Sequence, residues 1–337
     1  MKAIGFKNGF DLNEENGFEE LDLPTPKAEG KDILVNVKAA SINPVDTKLR
    51  TANYDDYKVL GYDAVGVVEA VGNDVELFHV GDEVYYSGSN IRQGSNAEYQ
   101  LVDERLVSIK PEHLSNVEAA ALPLTSLTAF EALCEGLNIS TNPEDNEGKK
   151  LLIINGAGGV GSIATQIGKH LGLTVITTAS RKETRRWSEK MGADIVLNHK
   201  HHLPDELKAH RINEVDYIFD THNSDEYFAV MAEMIKPRGK IVALVNFMDK
   251  VDLNLLKDKS VSFSFEFMFT RPKYETEDMK QQHKYLSELM KLIDRGSIKT
   301  THYQTLKGLT VETITKAHEM IEKGNSIGKI VIDYEEK

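Results

Sequence analysis

The stretch Leu151-Leu152-Ile153-Ile154-Asn155-Gly156-Ala157-Gly158-Gly159-Val160-Gly161 decides the fold. Its aliphatic run reads as a buried strand. Gly156, Gly158 and Gly161 then satisfy G-x-G-x-x-G at the start of a helix-like stretch, Val160–Leu171. Each glycine has a physical reason: the first permits the tight turn, the second lets backbone approach a pyrophosphate, and the third lets helix and sheet pack closely. The helix N-terminus adds unpaired N–H groups and a partial positive charge. Gly156, Ala157, Gly158, Gly159, Val160 and Gly161 are therefore expected to cradle a dinucleotide. The competing reading, a phosphate-free structural turn, lacks a reason for strand, turn, helix and next strand to follow in this order.

Outward from this turn, strand signals alternate with helix signals. Strands are expected at Lys150–Asn155, Thr174–Thr178, Asp194–Leu197, Val215–Asp220, Lys240–Leu244 and Val261–Phe267. Helices are expected at Lys182–Met191, Leu203–His210 and Glu226–Ile235 between them. That alternation predicts a doubly wound parallel sheet. Residues before about Pro123 read differently, as short β-branched runs (Asp32–Ala39, Ala64–Val71, Val84–Tyr86, Ala97–Val102) broken by turn formers. A helix is expected over Thr125–Leu133, and two more at Lys280–Asp294 and Glu312–Lys323, before a closing strand at Gly328–Tyr334.

The end of the second strand bears on coenzyme choice. An NAD site wants an acid about 20 residues beyond the glycines, to hold the ribose 2′-hydroxyl. Here the chain reads Thr178-Ala179-Ser180-Arg181-Lys182, and the nearest acid, Glu183, is already on the helix. Ser180 can donate to a 2′-phosphate, and Arg181 and Lys182 can neutralise it. NADP(H) is the favoured coenzyme, against the alternative of a solvated basic helix start.

The 337 residues suit two domains, and 40% hydrophobic residues suit a packed core. A net charge of −13 works against binding to nucleic acid or anionic lipid. A single cysteine, Cys134, excludes an internal disulfide and any zinc site built from several thiolates. No signal-peptide pattern and no run of 18 apolar residues is found, so a soluble, reduced, cytoplasmic setting is expected.

Further segments carry a family resemblance. Ser41-Ile42-Asn43-Pro44-Val45-Asp46, Gly61-Tyr62-Asp63-Ala64-Val65-Gly66-Val67-Val68, Ala119–Pro123 with Leu127-Thr128-Ala129, the Gly156–Gly161 turn, Phe269-Thr270-Arg271-Pro272 and Ile327-Gly328-Lys329-Ile330-Val331 resemble the medium-chain dehydrogenase/reductase superfamily, in its zinc-free quinone oxidoreductase (zeta-crystallin-like) branch. The resemblance implies a GroES-like β-rich catalytic domain (1–123 and 271–337) with a Rossmann domain (124–270) inserted in it. An active-site cleft lies between the two in such proteins. It also implies a homodimer, paired through an edge strand such as Ser262–Phe267.

The same resemblance bears on metal and mechanism. Zinc-dependent relatives carry a Cys ligand at the place of Asn43 and a His ligand at the place of Tyr62, so no metal is expected. It puts Asn43, Tyr54, Asp46 and Tyr62 on the catalytic side, Thr128 at the nicotinamide end, Arg271 near the coenzyme and His199 near the 2′-phosphate. Each has a bland alternative: Asn43 shaping a turn before Pro44, Tyr54 lying on a loop surface, Asp46 pairing with Arg50 at i,i+4. The histidines at 199, 201 and 202 near Asp205 read as surface groups rather than metal ligands. Without a Lewis acid, hydrogen-bond donors must stabilise the reduced acceptor, which suits quinones and enones better than simple alcohols. The expectation is an NADPH-dependent quinone or enone reductase; the alternatives are alcohol dehydrogenation of the zinc type and a non-catalytic NADPH-binding protein.

Overall fold

The computed structural model describes residues 1–12 and 17–335. Its packing divides the chain into two compact units, Met1–Leu127 with Phe269–Lys337, and Thr128–Met268. The first unit opens with β1 (Lys2–Phe6), β2 (Glu19–Asp22), β3 (Asp32–Ser41), α1 (Pro44–Leu49), β4 (Lys58–Val59) and β5 (Ala64–Val71). β6 (Glu83–Tyr86), β7 (Tyr99–Asp103), β8 (Val107–Ile109) and α2 (Asn116–Ala120) follow. α3 (Pro123–Phe130) then gives way to a wider π turn over Glu131–Gly136, so the expected helix at Thr125–Leu133 starts earlier and changes its winding.

The second unit carries β9 (Lys150–Ile154), α4 (Gly159–His170), β10 (Thr174–Thr178), α5 (Lys182–Lys190), β11 (Ile195–Leu197), α6 (Leu203–Ala209) and β12 (Val215–Asp220). It ends with α7 (Ser224–Met234), β13 (Ile235–Ala243), α8 (Asn254–Lys257) and β14 (Ser262–Phe265). The six strands pair in parallel in the order β11-β10-β9-β12-β13-β14. That is the doubly wound order, with its reversal beside β9. β13 starts five residues before the expected Lys240, because its pairing jumps from Val215↔Ile235 to Tyr217↔Lys240. Pro237 and Arg238, the latter at φ 64°, sit inside that irregularity, where a missing N–H costs no ladder bond.

The chain then returns to the first unit through α9 (Thr270–Tyr274), α10 (Gln281–Asp294), β15 (His302–Lys307), α11 (Val311–Glu322) and β16 (Lys329–Asp333). The larger sheet of this unit runs β15-β16-β3-β5-β6-β8, with β7 also on β3. Its inner face packs Ile33, Val35, Val37, Val68, Val84, Tyr86 and Val107 into one core, the side-chain alternation a half-buried sheet requires. A smaller sheet, β2-β1-β4, completes it. β15 reads as polar sequence and escapes periodicity; it lies at the sheet edge, where polar side chains face water. Among the described residues no helix is long and apolar enough to cross a membrane.

Candidate active site and coenzyme cradle

In the first unit the junctions β3–α1 and β4–β5 converge on a polar interior. Pro44 opens α1, with its fixed φ suited to a first helical position. Asp46 reaches back so that its Oδ2 accepts the Asn43 N–H at 2.8 Å, while its Oδ1 accepts the Gly61 N–H at 3.0 Å. Gly61 holds φ 106°, a conformation side chains resist, and a Cβ there would meet Ser95 Oγ at 2.5 Å. Asp46 does not pair with Arg50. The Arg50 guanidinium turns instead to Phe10 O (3.1 Å) and Glu322 Oε1 (2.6 Å).

Asn43 Nδ2 donates to Asp63 Oδ2 at 2.8 Å, and the Leu124 N–H donates to Asp63 Oδ1 at 2.7 Å. Across from them stands Lys329, the first residue of β16. Its ammonium donates to Asp63 Oδ2 (3.0 Å), to Ile42 O (3.0 Å) and to Asn43 Oδ1. Asn43, Asp46, Asp63 and Lys329 are all buried. Burial pushes the Asp46 carboxyl up to about 7, against the pull of the two backbone N–H groups and of Lys329. Burial raises Asp63 too, with Lys329, the Leu124 N–H and Asn43 opposing.

Tyr62 is buried edge-on to Phe269, and its phenol, raised by burial and then by Asp46, donates to Asn90 O at 3.4 Å. Tyr54 is half-buried against Phe6 and donates to Leu49 O at 3.1 Å. The structure thus gathers Asn43, Asp46 and Tyr62 around the Asp63–Lys329 pair, and turns both tyrosine hydroxyls toward backbone carbonyls. Lys329 escaped the reading of the sequence as a site residue. A lysine within the apolar run Lys329-Ile330-Val331-Ile332 was the available signal, because a buried ammonium needs partners.

In the second unit the crest of the parallel sheet is the glycine turn. Asn155 holds φ 67°, and its N–H donates to Thr178 Oγ1 at 2.9 Å. A Cβ on Gly161 would lie 2.2 Å from Asn155 O, and one on Gly156 2.4 Å from Thr177 Cβ, so both glycines permit close packing. A Cβ on Gly158 would meet the Asn155 amide nitrogen at 2.7 Å, on the side chain rather than on backbone. Gly158 caps α4, whose first N–H groups have no partner within the helix. Trp187 Nε1 donates to Ser162 Oγ, which in turn donates to Gly158 O, linking α5 to the turn (both 2.7 Å).

Ser180 and the exposed Arg181 and Lys182 stand where β10 passes into α5. Burial, followed by the nearby His222, lowers the His199 imidazole, and Arg181 also lowers it. The charges that act on His199 thus come from the tips after β10, β11 and β12, with Glu226 on α7 opposing His222, Lys200 and Arg181; His222 was not singled out from sequence. His201 and His202 turn to Glu206 (2.7 Å) and Asp205 (3.0 Å) at the surface. Thr128 is buried on α3. Arg271, on α9, pairs with Asp278 at 2.6 Å.

Two family profiles match the chain: an alcohol dehydrogenase GroES-like domain over residues 29–112 and a zinc-binding dehydrogenase over residues 159–284. A "zinc-type alcohol dehydrogenase-like protein" of Staphylococcus epidermidis is 51% identical over 99% of both chains. An "NADPH-dependent alkenal/one oxidoreductase" of Arabidopsis thaliana is 33% identical over 67% of this chain and 58% of its own. Among solved structures, a Rhizobium etli protein assigned provisionally to the zinc-dependent alcohol dehydrogenases superposes with TM-score 0.95 at 42% identity, covering 100% of this chain and 99% of that one. The quinone oxidoreductase of Coxiella burnetii gives TM-score 0.81 at 29% identity over 99% of each chain.

The zinc in those descriptions does not suit the residues here. A catalytic zinc needs three donors and an open position. Among the described residues no three His, Cys, Asp or Glu side chains group in that way. The oxygen atoms of Asn43 and Asp63 that face inward are already bonded to the Lys329 ammonium. The dinucleotide does suit the turn: the positions where a Cβ would intrude carry glycine, and the adjacent strand β10 runs into Ser180, Arg181 and Lys182.

Proposed function

The chain belongs to the medium-chain dehydrogenase/reductase superfamily, in its quinone oxidoreductase-like branch, and from that premise we propose an NADPH-dependent reductase of quinones or α,β-unsaturated carbonyls that works without a metal. The observation that carries this reading is the glycine turn of the second unit, beside which the neighbouring strand β10 leads into Ser180, Arg181 and Lys182. Gly156, Ala157, Gly158, Gly159, Val160 and Gly161 hold the pyrophosphate against the start of α4. Ser180, Arg181, Lys182 and His199 hold the 2′-phosphate. Thr128 and Arg271 keep their coenzyme-side roles on family resemblance. The bound coenzyme supplies the hydride.

The first unit argues for a conjugated acceptor. The buried cation at Asn43 and Asp63 is an ammonium whose hydrogen bonds go to protein oxygens. Concentrated charge on a simple alkoxide would call for a metal or a strong base, whereas a quinone or enone spreads the incoming charge by conjugation. The hydroxyls of Tyr54 and Tyr62 donate to backbone carbonyls, so solvent supplies the proton that completes reduction. The alkenal/one activity of the Arabidopsis relative supports the same acceptor class.

Two chains pair in this reading. β14 ends the sheet of the second unit, and Phe265 on it is 58% exposed. An apolar strand edge of this kind invites pairing with a copy of itself. NADPH oxidation measured against a panel of quinones, enones and simple aldehydes tests the function. Turnover confined to conjugated acceptors and indifferent to a chelator is expected. Alcohol oxidation that a chelator abolishes, or tight NADPH binding with no turnover across the panel, would overturn it.

A further inference from the structure

We propose that the Lys329 ammonium is the resident cation of the buried site in the first unit, filling the place a divalent ion would need and orienting the Asn43 carboxamide. This rests on the metal-free reading above. Lys329 is 3% exposed, and its ammonium donates to three oxygens from two stretches of chain, Ile42 O and Asn43 Oδ1 at the end of β3 and Asp63 Oδ2 before β5. A carbonyl, a carboxamide oxygen and a carboxylate are the donors a hard cation selects. Here they converge on a charge covalently tethered to β16, which no chelator removes.

The pair also dictates which way Asn43 points. Its carboxamide has one acceptor end and one donor end. The acceptor faces the ammonium and the donor faces Asp63 Oδ2, so a flip would set like against like at both ends. Asp63 receives Lys329 and Asn43 on one oxygen and the Leu124 N–H on the other, which leaves it anchored to the start of α3. A metal entering this group would have to displace the ammonium while standing next to it, and two cations in contact away from water repel strongly. Lys329 is in this sense a positioning residue: it acts on Asn43 and Asp63.

The experiment uses the intact chain with Lys329→Met, Asp63→Asn, the double variant and Lys329→Arg, each checked for NADPH binding as a control on the second unit. Lys329→Met should lower Tm by about 10 °C, because it strands a buried carboxylate. Adding Asp63→Asn should recover about half of that loss, the mark of direct coupling rather than of two separate defects. Lysine-15N NMR of the wild type should show a slowly exchanging ammonium signal that Lys329→Met removes and Asn43→Ala shifts. Wild type dialysed against Zn²⁺ should retain none. Lys329→Arg keeps the charge and should sit between wild type and Lys329→Met in stability.

A double variant no more stable than Lys329→Met, or an ammonium signal unmoved by Asn43→Ala, would overturn the proposal while leaving quinone turnover and the metal-free reading in place. One equivalent of zinc lost on replacing Asn43 or Asp63 would overturn both. Should Lys329→Met fail to fold, the wild-type ammonium signal, its response to Asn43→Ala and the zinc measurement still decide.

Discussion

The guanidinium of Arg50 lies 3.4 Å from Nδ1 of His318, and only a neutral imidazole can accept that hydrogen. Burial, aided by Arg50, holds His318 down to about 3. Its unfolded counterpart takes up a proton near 6.5, so this group makes stability rise as pH climbs from about 3 to 6.5. Asp46 has the opposite sign. Its folded pKa of about 7 stands above the ordinary 3.8, so the native state keeps a proton that the unfolded chain has released, and stability falls as pH rises from about 4 to 7. At roughly 1.4 kcal/mol per unit each effect is about 4–5 kcal/mol, and between pH 4 and 6.5 they oppose one another. Urea midpoints measured across pH should show this directly. Asp46→Asn should make stability climb from pH 4 to 6.5, and His318→Asn should make it decline from pH 4 to 7. Two variants with parallel profiles would refute the pairing of signs.

Arg50 itself is a second test. Its side chain is 2% exposed while Glu322, its partner, is 39% exposed. Arg50→Met removes the bonds to Phe10 O and His318 as well as the ion pair and should cost about 3 kcal/mol or more; Glu322→Gln, at the wet end, should cost under about 1 kcal/mol. Equal losses in thermal unfolding would show that the exposed end carries the interaction.

The glycines of the turn should separate packing from binding. Gly161→Ala would push a Cβ to 2.2 Å from the Asn155 carbonyl, so α4 must move off the sheet, with a loss of about 2–3 kcal/mol in stability. Gly158→Ala meets an amide side chain that can swing away. It should leave Tm within a few degrees and weaken NADPH at least tenfold, by blocking close approach of a pyrophosphate. Calorimetric titration beside melting curves distinguishes the two, and a Gly158→Ala protein with unaltered NADPH affinity would remove the turn from the coenzyme site.

Coenzyme preference is tested at the rim. Arg181→Ala should weaken NADPH by roughly tenfold to a hundredfold, one charged hydrogen-bonding group's worth, and spare NADH. His199→Gln should reduce the preference less. The single tryptophan, Trp187, reports the event, because its indole is bonded to Ser162 in the first turns of α4. NADH and NADPH responses that are equal in wild type would remove the 2′-phosphate argument.

Phe265 offers the assembly test. Replacing this exposed edge residue with Lys should convert the proposed dimer to a monomer in sedimentation, with the fold retained. A wild-type chain that sediments as a monomer would rule the pairing out.

Much of this molecule is written in contiguous patterns. Ala64–Val71, Thr174–Thr178 and Val215–Asp220 form strands at the bounds their β-branched runs announce, and the glycine spacing at Gly156–Gly161 marks a turn whose Gly161 packs directly on backbone. Such signals are local: rise per residue, side-chain alternation and the absence of a Cβ act within a few neighbours, so the order of residues by itself determined the doubly wound sheet and its glycine turn. Partner choice was left to the tertiary structure. Arg50 sits at helical spacing from Asp46 but bonds to Glu322, 272 positions away, and Lys329 reaches Asp63 across 266 positions. A buried charge takes whichever opposite group the folded chain delivers beside it, and delivery depends on how distant strands and helices pack, which no spacing along the chain records.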